Sequence, residues 1–292
     1  MPTLALHAAE RRRVVRDERL GELLLASPAV VLVFVLLGIP VLWLLGLSFL
    51  AGGEPTLAHY QRLATDPVYL RSIAVTLRIA CVVTALAVLI GYPVAYVLSQ
   101  LRGGWAVLGL TLVMIPFWTS LLVRTYAWLV LLQRQGIVNK ALVSAGVVDE
   151  PLYLVHNEIG TVVGMVHVLL PLLVLPLYAN MQRIDLGLMR AAASLGASPT
   201  YAFWRVYFPL SVPGLAAGAV LVFVLSLGFY ITPAVLGGGK TLMVAILIER
   251  NVNLFFEWGA ASSLAMLFAG VVLAFFWLLS RLLPLEQLFG GR

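Results

Sequence analysis

Six long stretches of the chain carry apolar residues on every helical face, and shorter segments rich in charge, proline or glycine separate them. They run from Leu23 to Leu50, Ile73 to Ser99, Trp105 to Leu132, Ile159 to Leu177, Val212 to Leu236 and Gly259 to Ser280. About 20 such residues in a helix cross a hydrocarbon core roughly 30 Å thick. Lipid offers the backbone no hydrogen bonds, so a spanning segment must satisfy its own, and unbroken runs of this length do so as helices. The pattern predicts an all-α integral membrane protein of about six transmembrane helices. Pro28, Pro40, Pro93, Pro116, Pro171 and Pro176 fall within the runs and predict kinks or breaks.

Composition agrees with lipid as the solvent. Of 292 residues, 62% are hydrophobic and only 11% charged, and the mean hydropathy is +1.01. The net charge of +6 does not point to nucleic acid, because the basic residues lie beside the apolar runs instead of forming a stripe with aromatics. Arg11, Arg12, Arg13, Arg16 and Arg19 give residues 1–22 the look of a signal-peptide head, but the run behind them is too long for one. A retained first helix over 23–50 is expected. With the N-terminus in the cytoplasm, eleven Lys and Arg lie inside and six outside. That excess places both ends, including the tail 284–292, on the cytoplasmic side. Cys81 is the only cysteine, which excludes an intramolecular disulfide and a thiolate metal cluster, and a small buried residue is expected there.

The most informative polar segment is the cytoplasmic stretch between the fourth and fifth runs, residues 181–211. Asp185 can cap a short helix through Ala193, which Gly196 can end in the left-handed conformation. Ser198 and Pro199 then supply the N-cap and first position of a second helix. Ala191, Ala192 and Ala193 form a small face that a partner backbone can approach closely, while Leu188, Leu195, Phe203 and Trp204 add apolar contact area.

The stretch R-A-A-A-S-L-G from Arg190 to Gly196, the nine residues Ala197 to Arg205, and V-Y-F-P from Val206 to Pro209 resemble the E-A-A-x-x-x-G, nine residues, I-x-L-P motif of ABC importer permeases. Ala191, Ala192, Gly196 and Pro209 match outright, and Val206 and Phe208 match in kind. Arg190 stands where the family has Glu, which alters any ion pair at that point but leaves the turn and the small-residue face. P-F-W-T-S-L-L-V-R-T-Y-A-W-L from Pro116, L-P-L-Y-A-N-M-Q-R-I-D from Leu175, L-G-F-Y-I-T-P-A-V-L-G-G from Leu227 and W-G-A-A from Trp258 are similar to the spermidine/putrescine-type permease subfamily.

The resemblance implies the transmembrane-domain fold of a type I ABC importer over residues 71–283 and an ATPase-coupling loop at 181–211, with Asp185, Arg190, Ala191, Ala192, Gly196, Ala197 and Pro209 as its site residues. In the family that loop sits in a cleft of a cytoplasmic ATPase. The implied assembly is two ATPases, two permeases and an external solute-binding protein, the second permease being a related chain, with a homodimer as the alternative. It suggests a polyamine such as spermidine or putrescine as cargo; another small organic or anionic solute is the alternative. The expected chain is a non-catalytic subunit with no cofactor of its own, ATP being bound by the partner ATPase.

Trp118, Ser120, Arg124, Tyr126, Tyr230 and Thr232 are the candidate translocation-pathway residues. A charge within a span tends to face a cavity, and aromatic faces and hydroxyls nearby can hold a cation. For Arg124 the alternatives are snorkelling to the headgroups or bonding to a neighbouring helix's carbonyls; for His167, a bond between helices; for Trp128, an interfacial aromatic belt. An arginine in the pathway would also repel a polyamine. Gly214 and Gly218 form a small-xxx-small pair suited to close helix packing. G-G-G-K-T, Gly237 to Thr241, lacks the first glycine of a phosphate loop, since Ala234 occupies that position. No H-E-x-x-H, G-x-S-x-G or calcium-loop pattern is present, and no Asp or Glu lies inside an expected span, as a secondary transporter driven by an ion gradient would require.

Overall fold

The computed structural model describes residues 25–282; the basic segment 1–22 and the tail 284–292 lie outside the described residues. Five helices are long and apolar enough to cross a membrane: α1 (Leu25–Ser48), α3 (Pro67–Gln100), α7 (Glu158–Met181), α9 (Pro199–Leu227) and α12 (Trp258–Leu282). Between them lie α2 (Ala58–Thr65), α4 (Gly104–Trp118), α5 (Leu121–Leu132), α6 (Ile137–Ser144), α8 (Leu186–Ser194), α10 (Ile231–Leu236) and α11 (Val244–Asn253). A two-residue hairpin, β1 (Leu50–Ala51) with β2 (Glu54–Pro55), turns through Gly52 and Gly53, both at positive φ. It is the one departure from an all-helical chain among the described residues.

Two expected spans need correction. The run from Trp105 to Leu132 is not one helix: α4 ends at Trp118, and the chain resumes as α5 after a bend of 97°. Pro116 weakens the last turn of α4, and Thr119 N–H closes it back on the Pro116 carbonyl at 3.4 Å. The fifth run begins earlier and ends sooner than Val212 to Leu236. Helix α9 starts within the polar segment 181–211, at Pro199, and stops at Leu227; Gly228 to Tyr230 break it, and α10 follows as a short, largely buried piece.

Prolines act in two ways. Pro93, Pro171 and Pro176 sit inside unbroken helices. Pro40 and Pro209, by contrast, each follow a π-helical turn, Phe34–Gly38 and Phe203–Tyr207, closed by Ile39 N–H to the Phe34 carbonyl and Phe208 N–H to the Phe203 carbonyl. A proline ring clashes with the carbonyl four residues back and offers it no N–H, so widening the preceding turn relieves both problems.

The core is made by α3, α7 and α9. Ile79, Val83 and Ala87 of α3 pack with Met165, Leu169 and Leu173 of α7 and Val222 of α9, and towards the C-terminal end of α3 Ala95 and Leu98 meet Val174, Leu177, Met181 and Tyr207. Helices α7 and α9 approach so closely that a Cβ on Gly218 would lie 2.9 Å from the Leu173 carbonyl oxygen. Helix α1 leaves an 18-residue apolar window wholly unburied within the chain and packs chiefly on α12. Cys81 is exposed on α3, not buried.

Polar bonds fix the connections on either side of α10 against this core. Thr76 Oγ1 on α3 accepts from Val244 N–H at 2.9 Å, tying the start of α11 to α3. Asn157 N–H donates to the Leu236 carbonyl at 3.2 Å, tying the end of α10 to the start of α7.

Candidate functional site

The segment between α7 and α9 is an elbow whose shape follows from local backbone chemistry. Asp185 Oδ1 accepts from Gly187 N–H at 2.7 Å and caps α8. At the other end Gly196 stands at φ +85. Its N–H donates to the Ala193 carbonyl, and Ala197 N–H to the Ala192 carbonyl, each at 3.0 Å. This is the paired pattern of a Schellman cap, which satisfies carbonyls that the helix end would otherwise leave bare. Ser198 Oγ then accepts from Tyr201 N–H at 3.3 Å, and Pro199 opens α9.

The elbow presents an open groove of about 580 Å³ lined by Ala192, Leu195, Gly196, Ala197, Ser198 and Tyr201. Leu195 is 89% exposed, and Leu188, Tyr201 and Trp204 also stand in the open. Apolar side chains exposed together where the chain turns between two spans form the kind of surface on which a partner can dock. Arg190 and Ala191 are exposed beside it, and Pro209, also exposed, lies two residues beyond the π segment of α9.

Phe203 does not join this outer face. It turns inward, edge-on to Tyr96 at 5.5 Å and stacked with Tyr207 at 5.8 Å. Tyr207 OH pairs with Ser99 Oγ at 3.1 Å, Tyr92 OH with Ser211 Oγ at 2.9 Å, and Gln182 Nε2 donates to the Ser99 carbonyl at 3.1 Å. These contacts fasten both arms of the elbow to the C-terminal end of α3. The fastening escaped sequence reasoning; its only signal is the i, i+4 aromatic spacing of Tyr92 with Tyr96 and Phe203 with Tyr207.

The candidate pathway residues are placed unevenly. Trp118 is 85% exposed at the bend, and Ser120 and Tyr126 are exposed beside and beyond it. The Arg124 guanidinium donates to the Pro116 carbonyl across the bend, so its charge sits against the negative end of the α4 dipole. Thr232 is fully buried, its Oγ1 3.3 Å from Thr125 Oγ1, which joins α10 to α5. Tyr230 is partly exposed in the break before α10. Trp128 Nε1 donates to His167 Nδ1 at 3.0 Å, a bond between helices. Among the described residues no group of three His, Cys, Asp or Glu could hold a metal ion.

At the N-terminal end of α3 a recess of about 690 Å³ runs along its first turns, lined by Arg71, Arg78 and Lys240 against the single carboxylate of Glu158. Arg78 and Glu158 form an ion pair, and Arg62 pairs with Glu257 nearby at 2.7 Å.

A model of the binding-protein-dependent transport system inner membrane component family matches residues 22–284. The spermidine/putrescine transport system permease protein PotB of Escherichia coli is 34% identical over 255 residues, covering 84% of this chain and 92% of its own. PotB of Haemophilus influenzae is 34% identical over 262 residues, covering 85% and 91%. A chain of a bacterial ABC transporter involved in the import of the acidic polysaccharide alginate aligns with a TM-score of 0.68 at 18% identity, over 90% of this chain and 95% of that one; that likeness is one of fold.

Proposed function

Because the chain belongs to the binding-protein-dependent transport system inner membrane component family and is the multi-pass permease subunit of an ABC importer, we propose that its cargo is a polyamine of the spermidine or putrescine kind. Identity of 34% over most of both chains to permeases named for that cargo supports the choice. The position of Arg124 supports it too. An arginine facing the pathway would repel a polycation, whereas this one is held to a backbone carbonyl at the bend.

The working assembly is two permeases, this chain with a related second one, two cytoplasmic ATPases, and an external solute-binding protein. Both termini face the cytoplasm. The chain performs no catalysis; ATP is bound and hydrolysed by its partners. Asp185, Arg190, Ala191, Ala192, Gly196, Ala197 and Pro209 form the handle on which the ATPase acts. Closure of the nucleotide-bound ATPase pair brings the two elbows together, and the aromatic fastening of Phe203 and Tyr207 to α3 turns that movement into outward opening of the spans. Trp118, Ser120, Tyr126, Tyr230 and Thr232 stand along the cargo's route, the last reached only when α10 moves from α5.

The observation that carries this reading is the elbow: a capped, alanine-faced turn with an exposed groove, pinned to the core. Uptake of labelled spermidine by cells expressing the complete transporter tests it. Uptake should vanish when the ATPase is disabled and persist when the proton gradient is collapsed; the reverse would indicate an ion-gradient transporter.

A further inference from the structure

Between the break after α9 and helix α11 lies a second outer cavity, of about 130 Å³, whose polar lining is Tyr230, Thr241, Glu249 and Arg250, with Leu242 and Ile246 among its apolar wall. Thr241 is fully buried, and its Oγ1 has no hydrogen-bond partner among the described residues. A buried hydroxyl left bare costs stability, on the order of 1–3 kcal/mol, and points to an occupant that can hydrogen-bond with it. Glu249 accepts only from the Asn253 side chain one turn on, at 3.3 Å, among the described residues. The cavity is held in place by the bond from Val244 N–H to Thr76, which anchors the start of α11.

We propose that this cavity receives a primary ammonium group of the cargo as it enters from outside, with Glu249 as its counter-ion. An ammonium carries three donors and no acceptor. The cavity supplies a carboxylate, the bare Thr241 hydroxyl and the Tyr230 hydroxyl, with the Tyr230 ring able to face the cation. The neighbouring larger recess, which shares Leu242, is lined by Arg71, Arg78 and Lys240 and turns a cation away. Arg250 in the small cavity weakens the hold, as a transit site requires: binding must favour entry yet permit departure. The inference deepens the amine-cargo reading and rests on it for the identity of the ligand, but not for its test.

The purified permease is placed in nanodiscs of neutral phosphatidylcholine, which does not itself attract amines. Saturation-transfer NMR then measures binding of putrescine, with 1,4-butanediol as the uncharged control. Putrescine should bind and butanediol should not. Glu249→Gln should lower affinity at least about tenfold, the loss of one charge-assisted hydrogen bond. Glu249→Asp should retain part of it, and Arg250→Gln should raise it. A variant damaged in folding cannot produce this opposed pair of effects. Equal signals from the diol and the diamine, or a Glu249→Gln affinity like that of the parent, would overturn the proposal. Binding without spermidine uptake by the complete transporter would uphold the site and overturn the polyamine cargo; uptake without binding would overturn the site alone.

Discussion

Gly196 bears two demands that substitution can separate. Its φ of +85 lies where a side chain strains the backbone, at a cost of about 1–2 kcal/mol for an ordinary L-residue and less for Asn, which enters the left-handed region more readily. A Cβ there meets nothing within 4 Å, so Gly196→Ala and Gly196→Leu carry the same backbone penalty and neither clashes within the chain. Their melting temperatures should nearly coincide, a little below that of the parent, with Gly196→Asn between. The groove beside the turn tells them apart. A leucine side chain projects into the space bounded by Ala192, Leu195, Ala197 and Tyr201, and an alanine barely enters it. With the groove as the ATPase seat, Gly196→Leu should abolish spermidine uptake and cargo-stimulated ATP hydrolysis in the reconstituted transporter, while Gly196→Ala keeps much of both. Thermal melting in detergent controls for folding. Equal uptake by the alanine and leucine variants at equal stability would refute the reasoning.

Phe203→Ala should leave the ATPase bound but lower uptake, because the half-buried ring links elbow to α3; removing it should cost up to about 3 kcal/mol, the low end for a core phenylalanine, read as a lower melting temperature together with ATP hydrolysis that no longer responds to cargo. Gly218→Val puts a branched side chain against the Leu173 backbone, which cannot move aside as a side chain would. Its expected cost is about 1–3 kcal/mol, seen as a lower melting temperature and a broadened size-exclusion peak while membrane insertion persists. Arg124→Ala removes the bond to the Pro116 carbonyl and should lower stability by about 1–3 kcal/mol, with apparent affinity for spermidine unchanged. A shift in affinity at unchanged stability would return Arg124 to the cargo route.

Much of this molecule was legible in its sequence where the governing physics is local. The apolar runs reveal themselves because lipid tolerates little else over 20 residues or so. The elbow is legible because caps are short-range chemistry: Asp185 reaches Gly187, Gly196 relieves a left-handed turn, and Ser198 with Pro199 starts the next helix. The bend after Trp118 is less so. P-F-W-T-S is almost as apolar as the helices it separates, so hydropathy continues across a turn of 97°. Pro116 marks a weak point but not its angle, and Arg124, which closes it, shows its partner only once the chain has turned. Pro40 and Pro209 likewise signal irregularity without saying that the preceding turn widens to a π-helix. The aromatic fastening joins residues more than a hundred positions apart, and the small cavity gathers Tyr230 from the break before α10, Thr241 from the loop after it and Glu249 from α11. Such convergence depends on packing, which no local pattern records.

A separate motor that grasps the elbow must touch it, and one measurement reaches that contact directly. A photo-reactive amino acid at Leu195, the most open side chain of the turn, is activated by light in membranes holding the complete transporter. The adduct should contain the ABC ATPase, and its yield should change with ATP. A control at Trp118, exposed at the bend, should give none. An ATPase adduct absent from Leu195, or a Leu195 reached only by reagents confined to the outer side, would contradict the coupling role of the elbow.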